Sequence, residues 1–352
     1  MYKRQDIALL QYTGGTTGKS KAAVLTHKNL LSNVQQVSNW IEPHIKSGKE
    51  IIITALPLFH IFSFTVNCLT FLKIGAENVL IANPRDLKSF LKILQKKKFT
   101  VMTAVNTLFN LLLTSKTFKE LNFSSFKFSV GGGMAVMSET AKNWKKITGT
   151  NITQGYGLTE TSPVVSINKI DSLYNGSIGL PVQSTNIKII DENGEKINDK
   201  QPGELCVKGP QVMSGYWKYP EDQENPFTDD GFFKTGDIAS ISEHGYLTIV
   251  DRKKDMIISS GYNVFPNEIE DYLSTHPDIL EAGVIGIPDK NRGEYIKAFI
   301  VKKNKNLIDT EVITYCKEGL TDYKVPKKVI FIDDLPKTNV GKILRRELRN
   351  IN

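Results

Sequence analysis

The sequence predicts an α/β fold: a parallel sheet layered with helices on both faces, a β-rich module, and a small C-terminal α/β domain. Three observations carry this. Short apolar runs alternate with amphipathic stretches through the first half. After about residue 176 the strands become short and are punctuated by Gly and Pro. The charged cluster Asp251-Arg252-Lys253-Lys254-Asp255 then precedes a second, smaller alternation of strand and helix patterns. The boundary is therefore expected between 1–250 and 251–352.

Each element follows from its pattern. Residues 7–12 form an apolar run that reads as a strand. Leu30, Val34, Val37 and Ile41 recur at helical spacing behind Thr26, a residue type that caps helix N-termini. Strands over 51–56, 79–81, 101–105 and 126–130 alternate with helices over 59–74, 87–94 and 108–113, as in a parallel sheet covered on both faces. In the β-rich module, residues 186–190 with Asn193-Gly194 read as a hairpin, and strands follow at 205–207, 238–241 and 247–250. The last segment predicts strands at 257–259, 283–287, 298–301 and 329–332, with helices over 268–273 and 311–319.

The bulk properties narrow the function. The 352 residues carry a formal net charge of +8, which suits anionic partners: nucleotides, CoA or an anionic lipid surface. Scattered lysines also read simply as a solvated surface. No zinc-finger, RNP or helix-turn-helix pattern is present, so nucleic acid is not expected as a partner. Cys68, Cys206 and Cys316 form neither a C-x-x-C pair nor a disulfide framework, so they are read as reduced thiols of a cytoplasmic protein. The most apolar stretch, 59–74, is interrupted by His60, Ser63, Asn67 and Lys73 and reads as a core helix, not a membrane span.

Gly14-Gly15-Thr16-Thr17-Gly18-Lys19-Ser20-Lys21 is the first segment with chemical content. Its glycines let the backbone approach an anion, and its hydroxyls and lysines can surround phosphate oxygens. It is not a Walker A loop, because Thr13 stands where that spacing needs glycine. Ala22-Ala23-Val24-Leu25 follows as a second strand, so the loop is expected between two strands.

At this loop the chain resembles the adenylate-forming superfamily of acyl-CoA synthetases and luciferases. The resemblance continues in order through Leu56-Pro57-Leu58-Phe59-His60, Gly155-Tyr156-Gly157-Leu158-Thr159-Glu160, Lys234-Thr235-Gly236-Asp237, Asp251-Arg252-Lys253-Lys254-Asp255, Gly261-Tyr262-Asn263 and Pro336-Lys337-Thr338-Asn339-Val340-Gly341-Lys342. Within the superfamily the chain is most similar to bacterial long-chain fatty-acid–CoA ligases.

The resemblance implies an adenylation domain over 1–250 and an AMP-binding-enzyme lid domain over 251–352. It implies ATP and CoA as substrates, Mg2+ as cofactor and a fatty acid as the activated acid. Thr16, Thr17, Gly18 and Lys21 would hold phosphates, and Gly132, Gly133 and Tyr156 would meet adenine. Glu160 would hold Mg2+, with Thr159 beside it on phosphate. Asp237 would accept from the ribose hydroxyls, and Arg252 would bind ribose or phosphate. Lys342 would act in adenylation, Asp251 would be the hinge of the lid, and Gly261 would line the path of the CoA thiol.

Taken singly, these residues have plainer readings. Lys342 sits in a basic tail with Lys337, Arg345 and Arg346, Glu160 resembles a surface carboxylate, and Asp237 resembles an Asx-turn residue. His60 reads equally as a core histidine. The chain also departs from the family: Ala22 and Ala135 replace a usual glycine and a common proline, and the phosphate loop starts near residue 12, where relatives carry a long preceding section. That predicts an incomplete adenylation domain with exposed apolar surface. Two alternatives stay open, a ligase for another acid or a carrier-protein thiol, and a catalytically incomplete nucleotide-binding fragment. Localisation is expected to be cytoplasmic, with peripheral contact at the inner face of the cell membrane left open, as is oligomeric state.

Overall fold

The computed structural model describes residues 3–13, 21–197, 201–218, 225–289, 293–338 and 341–351. The chain divides into two compact units. Unit 1 comprises Met1–Val136, Thr140–Thr235 and Ser240–Thr248, and unit 2 comprises Met137–Glu139, Gly236–Ala239 and Ile249–Asn352.

Unit 1 opens with the antiparallel pair β1 (Ile7–Thr13) and β2 (Lys21–Thr26), in which Thr13 faces Lys21. Two strands thus flank the expected phosphate loop in sequence, and its residues 14–20 lie outside the described residues. Helix α1 (His27–Ile41) starts at Thr26, whose hydroxyl accepts from Asn29 N at 3.2 Å. Then come β3 (Ile51–Thr54), a π-helical stretch Ser63–Thr70 running into α2 (Phe71–Lys73), β4 (Glu77–Leu80), α3 (Leu87–Lys96), β5 (Val101–Ala104), α4 (Asn106–Thr114), α5 (Lys116–Lys119), β6 (Phe128–Gly131), α6 (Ser138–Thr148), β7 (Ile152–Gly157), β8 (Val164–Ile167) and β9 (Leu180–Pro181). The strands form one sheet in the order β4-β3-β5-β6-β7-β8-β9. Its β4 to β7 part is parallel, as the alternation predicts, but β8 and β9 run antiparallel. The sheet is thus mixed, because a tight turn, not a helix, joins β7 to β8 and reverses the chain.

The core of this layer is aromatic. Trp144 of α6 packs against Phe109 of α4 at 4.6 Å and Phe118 of α5 at 5.3 Å between ring centroids, and all three are fully buried. The expected helix over 59–74 is mostly π-helical. Its wider turns hold buried polar groups in place: Ser63 Oγ donates to Leu56 O at 2.8 Å, and Asn67 Nδ2 donates to Thr103 Oγ1 at 2.8 Å. Apolar surface is exposed at Ile7, Leu10 and Tyr12 of β1 and at Leu80 of β4.

The β-rich module is the four-stranded sheet β10 (Asn186–Ile190), β11 (Gly203–Lys208), β12 (Phe233–Ile241) and β13 (Leu247–Arg252), in that order. The division between the units runs through β12 and β13.

The rest of unit 2 contains β14 (Ile257–Ser259), β15 (Tyr262–Val264), α7 (Pro266–Ser274), β16 (Ile279–Asp289), β17 (Gly293–Lys302), α8 (Asp309–Gly319), β18 (Lys328–Phe331) and α9 (Arg345–Leu348). The long β16–β17 hairpin is its centre, with β18 parallel to β17. Ile269 and Leu273 of α7 and Val312 and Cys316 of α8 pack on one apolar cluster with Val284, Ile296 and Ile300. Among the described residues, no helix is long and apolar enough to cross a membrane.

Candidate active site

The residues singled out by sequence fall into two groups, one in each unit. Thr16, Thr17 and Gly18 lie outside the described residues. Lys21 begins β2, and its Nζ stands 5.3 Å from the centroid of the Tyr216 ring. Gly132 follows β6 in a crowded place, where an added Cβ would come within 3.3 Å of Gly155 O and of the Phe62 ring. Gly133 has φ +80°, a conformation that L side chains rarely adopt. Tyr156 lies half-buried on β7, opposite Ser166.

Thr159 and Glu160 occupy a 3-10 turn, Thr159–Thr161, between β7 and β8. Thr161 holds this turn shut: its hydroxyl accepts from Leu158 N at 3.0 Å, and its own N donates to Leu158 O at 3.1 Å. Glu160 Oε1 accepts the Tyr216 hydroxyl at 2.6 Å, and Glu160 O accepts Met213 N at 2.7 Å. Tyr216 was not foreseen. Its link to Glu160 spans 56 residues of sequence, and no periodicity could have announced it. His60 is half-buried, and its Nδ1 accepts Phe62 N at 3.3 Å, so it caps the following helical stretch locally.

Unit 2 holds a cluster of opposite charges. Asp237 on β12 is nearly fully buried, with Arg252 Nε 3.3 Å from its Oδ1. Gly236 turns its backbone to φ +72°, and its carbonyl accepts Lys253 N at 2.9 Å. Lys342 precedes Ile343, which forms an isolated antiparallel bridge with Lys337. Lys342 N donates to Thr338 Oγ1 at 3.1 Å, and Thr338 N donates to Lys342 O at 2.8 Å. Burial, and after it the cation of Arg252, bring the Lys342 amine down to about 7, against the opposing pull of Asp237. Lys254, also shifted by burial and by Arg252, falls to about 8.

Asp251 is wholly buried. Its Oδ1 accepts Arg252 N at 2.7 Å, and its Oδ2 accepts Asn267 N at 2.8 Å. Beside it Arg345, another residue whose part was not foreseen, donates from Nη2 to Glu270 Oε2 and to Asn267 Oδ1, each at 2.7 Å, and lies 3.8 Å from Asp251 Oδ1. Burial holds the carboxyls of Asp251 and Glu270 above the usual range, against the pull of Arg345. Gly261 occupies a two-residue hairpin turn with Ser260, both at positive φ (+82° and +55°), and an added Cβ there would meet open space.

Cys206 and Cys316 supply no nucleophile, since burial pushes both thiols up to about 12. Among the described residues there is no group of three or more His, Cys, Asp and Glu that could hold a metal ion. A Mg2+ ion needs no such cluster, because it keeps several waters and takes one or two carboxylates plus phosphate oxygens. Glu160, with one oxygen engaged by Tyr216, is a donor of that kind.

Residues 1–217 match the AMP-binding enzyme family, and residues 268–342 match the AMP-binding enzyme C-terminal domain. The long-chain-fatty-acid–CoA ligase of Escherichia coli O6:H1 is 53% identical over 347 residues, covering 98% of this chain and 62% of that protein. The chain thus spans about three fifths of the length of the curated relatives it matches. ATP-bound MatB from Rhodopseudomonas palustris superposes with a TM-score of 0.89 at 32% identity, over 99% of this chain and 69% of that one. The o-succinylbenzoate coenzyme A synthetase MenE from Bacillus subtilis, in complex with ATP and magnesium ion, gives a TM-score of 0.84 at 32% identity, over 99% and 70%.

Proposed function

The chain belongs to the AMP-binding enzyme family, and from that premise we propose that it carries the chemistry of a long-chain fatty-acid–CoA ligase. The fatty-acid carboxylate attacks the α-phosphorus of ATP, pyrophosphate leaves, and acyl-AMP forms. The CoA thiol then attacks the acyl carbon, AMP leaves, and acyl-CoA forms. One observation carries the reading: the Lys342 amine lies within the field of the buried Asp237 and its Arg252 partner, all three in unit 2. A ribose acceptor, a phosphate cation and a second cation are the groups that anion-on-anion attack demands.

In this mechanism Asp237 accepts from the ribose hydroxyls while Arg252, 3.3 Å from its Oδ1, holds the carboxylate in place. Lys342, brought near neutrality by its surroundings, regains its proton beside the α-phosphate and the carboxylate and bridges them. In unit 1, Lys21, Thr159 and the loop containing Thr16, Thr17 and Gly18 take the outer phosphates, and Gly132, Gly133 and Tyr156 accommodate adenine. Glu160 would hold Mg2+, which would supply positive charge to the phosphate oxygens. Asp251 serves as the hinge on which the lid 251–352 turns between the two half-reactions, and Gly261 leaves room for the thiol. The relatives' names support the fatty-acid assignment. The intact protein, given ATP, CoA and acids of graded length, tests it by release of AMP and formation of thioester. Long-chain acids should be preferred; AMP only with short or aromatic acids would assign the chain to another ligase, and no AMP with any acid would leave a nucleotide-binding fragment.

A peripheral contact with anionic membrane is part of the proposal, and the charge distribution favours it. Residues 85–148 hold twelve Lys and Arg against three Asp and Glu, so this stretch accounts for the whole net charge. Lys88, Lys92 and Lys96 of α3 and Lys142, Lys145 and Lys146 of α6 are exposed. Sedimentation with anionic vesicles should fall as salt rises, and indifference to lipid and salt would remove this contact.

A further inference from the structure

We propose that Tyr216 is a positioning residue that aims Glu160 at the metal–nucleotide and couples it to Lys21. The proposal rests on the reading of Glu160 as the carboxylate that meets the divalent ion. The geometry is specific. Tyr216 lies in a segment that adds to β2: Ala23 and Tyr216 form an antiparallel bridge, Val24 N donates to Gly215 O at 2.9 Å, and Trp217 N donates to Ala22 O at 2.8 Å. Lys21 and Tyr216 are therefore neighbours across a backbone ladder, which places the Lys21 ammonium over the ring face, within cation–π range. From the other end of the ring, the hydroxyl donates to Glu160 Oε1 at 2.6 Å, the length of a charge-assisted bond.

The support behind this pair is rigid. The Tyr216 ring packs on the buried cluster of Ala23, Leu25, Ile61, Met213 and Phe233. Asn29 of α1 donates from Nδ2 to Pro210 O and Val212 O, both at 2.8 Å, and so holds the approach to Tyr216. Asn33, one turn later on α1 and fully buried, donates to Val164 O at 2.8 Å and accepts Val164 N at 3.0 Å, fixing the strand that leaves the Glu160 turn. One helix thus anchors both the tyrosine and the glutamate.

The chemical consequence is a division of labour within one carboxylate. Oε1 accepts the Tyr216 hydroxyl, which fixes the plane of the carboxylate, so that Oε2 is the oxygen offered to a hard cation. The ring spaces the ammonium of Lys21 from the carboxylate while keeping both in register. The same phosphates can then meet a cation on one side and the metal on the other.

The test is Mn2+ binding to the intact protein with ATP, followed by electron paramagnetic resonance, alongside the Mg2+ dependence of adenylation. Tyr216→Phe removes the hydroxyl and keeps the ring under Lys21. It should weaken Mn2+ binding about tenfold and raise the KM for Mg2+ by a similar factor, with a smaller fall in kcat, as loss of an outer-shell partner does. In a Glu160→Gln background the same change should add nothing. If Glu160→Gln weakens Mn2+ binding and Tyr216→Phe leaves it untouched, or if the two losses multiply, Tyr216 is no positioning residue. If Glu160→Gln itself leaves Mn2+ affinity unchanged, the reading of Glu160 fails instead, and the proposal with it. A cooperative thermal melt of Tyr216→Phe, lowered by no more than a few degrees, separates a lost aim from a lost fold.

Discussion

In unit 1, Glu160 is held by one neutral hydroxyl and one backbone amide, on a turn tied to α1 through buried amides. In unit 2, Asp237, Asp251, Arg252, Lys254, Glu270, Lys342 and Arg345 are held largely by one another, and burial moves several of them well away from their ordinary protonation. The first arrangement is a fixed receptor. The second is a set of coupled charges in which each member sets the state of the next. A receptor for polyphosphate needs the first kind. On the proposed mechanism, a lysine that meets a phosphate in one half-reaction and leaves it in the other suits the second.

The contrast is open to breaking, and stability offers the largest effect. Arg345→Ala leaves Glu270 and Asp251 buried without their cation and should cost unit 2 about 3–5 kcal/mol in urea unfolding. Tyr216→Phe in unit 1 should cost about 1 kcal/mol, since a single hydrogen bond is lost. Equal costs would erase the distinction.

Next in size is Gly261. Its positive φ alone calls for glycine, so the backbone and the thiol path both account for it. Gly261→Asn keeps a residue that tolerates the left-handed region while adding a side chain. A loss of about tenfold in thioester formation with adenylation intact favours the thiol path, and equal losses in both steps favour the backbone alone.

The smallest effect is on pH. With a folded value near 7, below that of a free lysine, Lys342 loses its proton above about pH 7 in the unliganded protein. The kcat/KM for adenylation should therefore decline on the alkaline side of pH 7. The kcat limb should lie higher, because bound phosphates restore the charge. The same lowered value opposes folding below pH 7, an opposition that fades as pH rises toward the free-lysine range. Lys342→Arg should abolish the alkaline limb.

Much of the fold was legible because parallel strands buried on both faces read as plain apolar runs, as at Ile51–Thr54 and Val101–Ala104. What escaped had weak patterns. Helix α6 buries only Thr140, Ala141, Trp144 and Thr148 and is otherwise polar. Strand β7 ends in Gly155-Tyr156-Gly157, which reads as a turn, and this hid the antiparallel return through β8. The π-helical winding at Ser63–Thr70 has no signature in spacing, since the same apolar residues suit an α-helix. At the site, Glu160 and Lys342 were visible only through the order of motifs. Tyr216 and Arg345 were hidden because their partners lie 56 and 75 residues away in sequence and meet them only once the sheets form.

The most direct measurement compares two reactions of one variant. Lys342→Ala, given fatty acid, ATP and CoA, should form acyl-CoA about 10²–10³-fold more slowly, the loss expected when one transition-state donor is removed. Given acyl-AMP and CoA instead, it should work at close to the parent rate. Equal losses in both reactions would contradict the assignment of Lys342 to adenylation alone.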